Sequence, residues 1–278
     1  MHEALFWARL EDSMQQSVAR FAGVAGISTL DLTSGHSLAI HGDETFPTAS
    51  SIKIHILTRL LLRAQRGEVD LHARVNVDPT EIVLGSGVLA YLSGPVELSL
   101  LDIATLMIIV SDNTATNICL RVAGIDATNQ MLDELGLTGT RVRRKMMDAL
   151  AAVEERENVS TPNEMARMMA LLHAGKPNAQ VAAQALEILR KPKNSTLTDA
   201  LPPGTTFANK PGYVEGARCD VGLVELPRRP YVVAIMSKYA LDTPGEHALA
   251  LEEMARTIHR HFVALERSNQ FGRYVYSG

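Results

Sequence analysis

Leu5, Leu10, Met14, Val18 and Phe21 recur at helical spacing, which predicts an amphipathic helix over residues 2–20. Residues 24–32 are rich in β-branched and small side chains. Thr33, Ser34, Gly35 and His36 separate them from a second short apolar run, 37–41, so the pair reads as a β-hairpin. A helix is predicted to start near Ser50, after Pro47, and to run through Ile54, Leu57, Leu60 and Leu61 to Gly67. From there to about residue 192 the pattern is mostly helical. Ser99 with Asp102, and Thr161 with Glu164, have the form of capping boxes, in which side chains satisfy the free N–H groups of a first turn. Pro162 then occupies the first helical position, where its missing N–H costs nothing. After Pro202, Pro203 and Gly204 the period shortens again. Residues 206–210, 220–226 and 231–238 read as strands, the last two joined by Pro227, Arg228, Arg229 and Pro230. A closing helix over 246–265 places Leu249, Leu251, Met254, Ile258 and Phe262 at helical spacing.

Strands at both ends with helices between them predict an α/β (α+β) protein. Its two-strand and three-strand groups would form one antiparallel five-stranded sheet, with the first and last helices on one face. The expected domains are a discontinuous α/β domain, 1–66 and 193–278, and an inserted all-helical domain, 67–192. A site is expected in the crevice between them, a common place for pockets.

Composition narrows the function. The chain has 278 residues, 46% hydrophobic and 21% charged, as a globular protein of two lobes would. A formal charge of −4, with no basic run, gives no reason to expect nucleic acid or an anionic membrane surface as partner. The longest apolar runs, 106–110 and 231–236, fall far short of the roughly 20 residues of a membrane span. The first residues lack a basic start followed by an apolar block. If they are the native start, the protein is expected in the cytoplasm. Cys119 and Cys219 are then expected as unpaired thiols. His259 and His261 stand two apart on a helix and point to different faces, a poor metal pair. No Gly-x-Ser-x-Gly elbow, His-Glu-x-x-His pair or phosphate-binding glycine loop occurs, so neither cofactor nor metal is expected. The partner implied is a small-molecule substrate, with oligomeric state open. Met146, Met147, Met165, Met168 and Met169 read as core filler.

Three motifs carry the chemistry. In Ser50-Ser51-Ile52-Lys53 a serine and a lysine at i and i+3 share a helix face, so the amine can reach the hydroxyl and act as its base. The motif is short, and about one copy is expected by chance in a chain of this length. Ser111-Asp112-Asn113 follows an apolar helix. It reads either as a loop offering a hydroxyl and an amide to substrate, or as a helix cap. Lys210-Pro211-Gly212, at a strand end, reads either as a surface lysine before a turn or as a second cation. That cation would depress the pKa of Lys53 and attract an anionic substrate group.

Taken together and in this order, the motifs resemble those of the penicillin-recognising serine enzymes, and of class A β-lactamases most closely. The resemblance covers nearly the whole chain. It extends to Thr140-Arg-Val-Arg-Arg144 before an Ω-type loop and to Ser160-Thr-Pro162 opening the next helix. It implies a β-lactamase/transpeptidase-like fold, with Ser50 as a nucleophile that forms an acyl-enzyme and Lys53 as its general base. Ser111 is implied as a proton relay to the leaving nitrogen, Asn113 as the substrate-amide ligand and Asp112 as a structural tie. Lys210 would set the electrostatics of the pocket. The backbone N–H groups of Ser50 and Tyr213 would hold the oxyanion, with Gly212 and Arg218 beside the substrate.

The departures are as informative. Laying 140–144 on the family pattern puts Met146 where the family has the glutamate that activates the deacylating water, and Leu150 where it has an asparagine. Asp148, Glu154, Glu155 and Glu157 lie nearby but read as solvated charge. Pro211 stands where the family has a hydroxyl residue, and requires its strand to be an edge or irregular there. Arg218 is one residue short of the family's arginine offset from Lys210. The expected activity is therefore a serine acyl hydrolase acting on a cyclic amide of the β-lactam type. Two alternatives stay open: a cytoplasmic amidase, esterase, acyl-transfer or cyclising enzyme, and a slowly deacylating penicillin-binding protein.

Overall fold

The computed structural model describes residues 3–275. Its helices, in chain order, are α1 (Ala4–Arg20), α2 (Lys53–Gln65), α3 (Leu100–Ile109), α4 (Asn113–Ala123), α5 (Ile125–Glu134), α6 (Ala149–Val153), α7 (Pro162–His173), α8 (Ala179–Arg190), α9 (Thr196–Ala200) and α10 (Pro244–Arg267). Strands β1 (Val24–Asp31) and β2 (Ser37–Ile40) precede the short β3 (Arg74–Asn76) and β4 (Glu97–Ser99). The chain then forms β5 (Phe207–Val214), β6 (Ala217–Val224) and β7 (Tyr231–Lys238). The predicted helix start at His2 lies outside the described residues.

Two compact units emerge. Among the described residues, the first comprises 3–49, 161–170 and 194–275; the second comprises 50–160 and 171–193. In the first, five strands form one sheet in the order β2-β1-β7-β6-β5, every neighbouring pair antiparallel. Helices α1 and α10 cover one face. Trp7, Leu10 and Met14 of α1 share a core with Leu251, Ile258 and Phe262 of α10 and with Ile27, Val233 and Ile235 of the sheet. On the opposite face Gly26 lies under Phe46 and Pro162. A methyl group there would meet Phe46 Cε2 at 2.7 Å and Pro162 Cγ at 2.9 Å, so the close approach requires glycine.

The second unit is helical, with β3 and β4 as its small hairpin. Its central element is α2, buried at Ile54, Ile56, Leu57, Leu60 and Leu61 and packed against α4, α5 and α8. The sequence grouped 50–66 with the sheet, but these residues belong with the helices. A helix that is apolar around most of its circumference packs into a helical core, and the Gly67 turn is no boundary. Conversely, 161–170 joins the sheet unit, where Asn163 N donates to Gly42 O. The cap half of each expected capping box forms: Ser99 Oγ accepts from Asp102 N at 3.0 Å and Thr161 Oγ1 from Glu164 N at 3.2 Å, while Asp102 Oδ2 accepts the Ser99 hydroxyl at 2.6 Å. His259 and His261 do diverge, the first bonded to Tyr231 Oη and the second stacked on Phe6.

The first strand of the last three is longer than predicted. Pro211 and Gly212 suggested a stop at Lys210, yet the strand continues to Val214 and turns at Gly216, whose φ of 74° is the left-handed conformation glycine tolerates. Proline is admitted because β5 is the sheet edge.

Burial pushes the imidazole of His55 in α2, and of His261 in α10, down to about 4. An unfolded histidine titrates near 6.5, so between those values the unfolded chain binds more protons. Stability should then fall as pH drops from about 6.5 to 4, by roughly 1.4 kcal/mol per pH unit for each ring. Urea unfolding at pH 7 and pH 5 should show this loss, and His55→Leu should remove the α2 share of it. An identical pH slope in His55→Leu would contradict the assignment.

Candidate active site

Ser50 is half-buried in a 3₁₀ turn, Ala49–Ile52, that runs directly into α2. A helix's first N–H groups have no partner within the helix, so the Ser50 N–H belongs to a set of donors available to an external oxygen. Lys53, one turn on, is fully buried. Its Nζ donates to Ser111 O at 2.7 Å, to Ser111 Oγ at 3.0 Å and to Asn113 Oδ1 at 3.2 Å. Two of the three motifs predicted from sequence are thus joined through this one ammonium.

The turn that presents those acceptors is strained and then secured. Ser111 has φ 55°, in the left-handed region that costs a non-glycine residue about 1–2 kcal/mol. Asp112, the N-cap of α4, accepts from Ala115 N through Oδ1 at 2.9 Å. Its Oδ2 accepts from Val88 N at 2.7 Å and Leu89 N at 2.8 Å. The structural reading of Asp112 fits this geometry, and the cap reading of Ser111-Asp112-Asn113 holds, because Asp112 is the N-cap of α4. Asn113 N donates to Ser86 O at 3.0 Å and its Nδ2 to Leu84 O at 3.2 Å, which leaves one amide hydrogen for a ligand. The loop around Gly85 and Gly87 escaped the sequence reading. The Gly-Ser-Gly run was its signal: a methyl group at Gly87, φ 114°, would stand 2.2 Å from Asp112 Oδ2.

The Ω-type loop closes on itself. Arg141 and Val159 bridge antiparallel, Thr140 Oγ1 and Ser160 Oγ lie 2.7 Å apart, and Asn158 Oδ1 accepts from Arg143 N and Arg144 N at 2.7 and 3.1 Å. Asn117, one turn after Asn113, holds Met146 by its backbone. Met146 N donates to Asn117 Oδ1 at 2.8 Å, and Asn117 Nδ2 donates to Met146 O at 3.1 Å. Met146 is buried, as are Met165, Met168 and Met169, whereas Met147 is exposed and is no core filler. The nearby acids are engaged or solvated: Asp148 caps α6, Glu154 pairs with Arg156, Glu157 grips Arg144 through both oxygens, and Glu155 is exposed. Leu150 lies exposed on α6. Cys119, on α4, is buried deeply enough that desolvation pushes its thiol up to about 12 against the pull of the Lys53 charge. Neither cysteine forms a disulfide among the described residues.

In the sheet unit, Lys210 is buried and donates from Nζ to Pro211 O at 2.8 Å. The β5–β6 ladder runs unbroken across the proline, with Lys210 opposite Val221, Pro211 opposite Asp220 and Gly212 opposite Cys219. A proline keeps regular pairing only if its nitrogen faces the open edge. Directions repeat every second residue, so the Tyr213 N–H also faces that edge. Gly212 shares a sheet face with Lys210 and Cys219, whose Sγ donates to Thr48 O at 2.9 Å. Arg218 does not join them. Paired with Tyr213, it projects to the α10 face, with its guanidinium 4.9 Å from the Tyr213 ring centroid and 3.5 Å from Pro244 O. The one-residue offset seen in the sequence is the reason, because a shift of one reverses the face.

A family model described as the Beta-lactamase enzyme family matches residues 9–262. The structure of PBP-A is 30% identical over 92% of this chain and 96% of that one, with a TM-score of 0.83. A point mutant of PBP-A, in an acyl-enzyme complex with penicillin G, covers 97% of its own chain at the same identity. A β-lactamase structure from Sphaerobacter thermophilus is 28% identical over 92% of this chain and 98% of that one, with a TM-score of 0.84. Among named relatives, Beta-lactamase CARB-3 of Pseudomonas aeruginosa is 27% identical across 84% of this chain and 83% of its own length. The match to Beta-lactamase SME-1 of Serratia marcescens, also 27% identical, covers 59% of this chain and 56% of that protein.

Asp112→Ala should lower stability by about 3 kcal/mol, since it removes a helix cap and leaves two further buried N–H groups without their acceptor. Gly87→Ala should destabilise through the same contact. Chemical denaturation measures both; a loss below about 1 kcal/mol for Asp112→Ala would mean that its carboxylate does not hold the loop.

Proposed function

Since the chain belongs to the β-lactamase enzyme family, and so is a serine hydrolase acting on amide bonds, we propose that it opens a cyclic amide of the β-lactam type through an acyl-enzyme on Ser50. The observation that carries this reading is the buried Lys53 ammonium, one helical turn from Ser50, bonded to the backbone and hydroxyl of Ser111 and to the Asn113 amide. Ser50 Oγ attacks the carbonyl carbon, the C–N bond breaks, and the serine proton passes by way of Lys53 and Ser111 Oγ to the leaving nitrogen. Lys53 takes the serine proton in its neutral form, and as the C–N bond breaks that proton moves on through Ser111 Oγ, 3.0 Å from Nζ, to the leaving nitrogen. The N–H groups of Ser50 and Tyr213 are assigned to the oxyanion, at about 10²–10³ in rate for each donor. Gly212 keeps the strand edge open next to Tyr213, Asn113 is assigned to the acyl-side amide, and buried Lys210 supplies a positive charge within the sheet unit.

Resolution of the acyl-enzyme is the slow step in this proposal. Met146, held by Asn117, offers no base for a water, and the nearby acids are engaged elsewhere or exposed. That favours the slowly deacylating alternative over an efficient lactamase. The resemblance to PBP-A, of which a mutant was captured as an acyl-enzyme with penicillin G, points the same way.

Mixing with a chromogenic cephalosporin should give a burst of one equivalent per chain, followed by slow turnover. Ser50→Ala and Lys53→Ala should each lose the burst. Met146→Glu should raise the steady-state rate at least about tenfold by supplying the missing base. Turnover without a burst, or a burst that survives Ser50→Ala, would sink the proposal.

A further inference from the structure

Resting on that proposal, we infer that the acyl donors of this enzyme are neutral on the leaving-group side: esters or cyclic amides that carry no carboxylate there. A carboxylate leaves water for a protein surface only where N–H or O–H donors, preferably cationic ones, replace its hydration. The edge strand beside the Tyr213 N–H offers few. Pro211 has neither an N–H nor a hydroxyl. The unbroken register turns the Gly212 N–H inward toward β6, because it alternates with the outward-facing proline nitrogen. The Tyr213 N–H is committed to the oxyanion.

The cations nearby are directed elsewhere. Lys210 is only 1% exposed, and its Nζ donates to Pro211 O at 2.8 Å, so its charge acts from within the sheet unit and not as an open anchor. Arg218 lies on the α10 face, under the ring of Tyr213 and against Pro244 O. The sheet parity that puts it there cannot be undone by a rotamer change alone.

The surroundings of Asn113 bear on the acyl side of the same donor. Leu84, whose carbonyl takes one Asn113 amide hydrogen, exposes its side chain. Met147 Sδ and Asn113 Nδ2 lie 3.3 and 2.8 Å from the same point, the place where a Gly85 Cβ would sit. Met147 is 55% exposed. Asn113, whose Oδ1 accepts from Lys53 Nζ at 3.2 Å, is thus flanked on its Nδ2 side by two exposed apolar side chains, which suits an apolar acyl group.

The test compares acylation rates of the full chain by benzylpenicillin and by its methyl ester, followed as the Ser50 adduct by intact-mass spectrometry. An enzyme that grips the carboxylate through charge-assisted hydrogen bonds loses about 10–100-fold on esterification. Here the ester should acylate within about threefold of the acid, or faster. Pro211→Thr, which restores a hydroxyl and an N–H on the edge strand, should raise the acid's rate about tenfold relative to the ester's. A change in folded fraction would move both rates together and leave that ratio alone. A loss of tenfold or more on esterification in the unaltered protein would overturn the inference while leaving the Ser50 acyl-enzyme intact. No adduct from either compound would overturn the acyl-enzyme reading itself, and the inference with it.

Discussion

A buried lysine must find acceptors or give up its charge, and Lys53 finds them on Ser111 and Asn113. Much of the helical unit serves to keep those acceptors in place. Ser111 accepts a left-handed φ so that its carbonyl and hydroxyl converge on one amine. Asp112 anchors the strained turn, capping α4 with one oxygen and holding the 83–89 loop with the other. Gly87 gives that carboxylate its space. One helical turn later, Asn117 extends the same scaffold to the Ω-type loop. The constraint is electrostatic at its centre and steric at its rim.

That scaffold delivers an unusual side chain to the loop. Asn117 grips the backbone of Met146, and a backbone grip holds any residue type equally well. The position is therefore ordered, but its side chain cannot take a proton from water. In the proposed mechanism the residues that make an ester on Ser50 differ from those that would cleave it, and Met146 falls in the second set. Local carboxylates do not compensate, because Glu157 is bound through both oxygens to Arg144 and Asp148 caps α6.

The legible portion of the sequence was what local periodicity and capping encode. The long helices, the five strands and their sheet followed from spacing, and Ser50, Lys53, Ser111 and Asn113 from motif order. What escaped depended on contacts distant in sequence. The role of Gly87 is set by Asp112, 25 residues away, and that of Asn117 by Met146, so neither shows in a local window. Helix α2 was grouped with the sheet because its position in the chain outweighed its apolar circumference. The extension of β5 through Pro211 was hidden because a proline ends a central strand but not an edge strand. The face taken by Arg218 required the ladder register, which sequence offset only hinted at.

The central claim is that Ser50, served by Lys53, becomes covalently acylated. Peptide mapping after brief exposure to benzylpenicillin tests it most directly. One ring-opened adduct per chain is expected, confined to the peptide containing Ser50 and absent when Lys53 is replaced by alanine. Hydrolysis of the β-lactam with no adduct on that peptide, or an adduct on another residue, would contradict it.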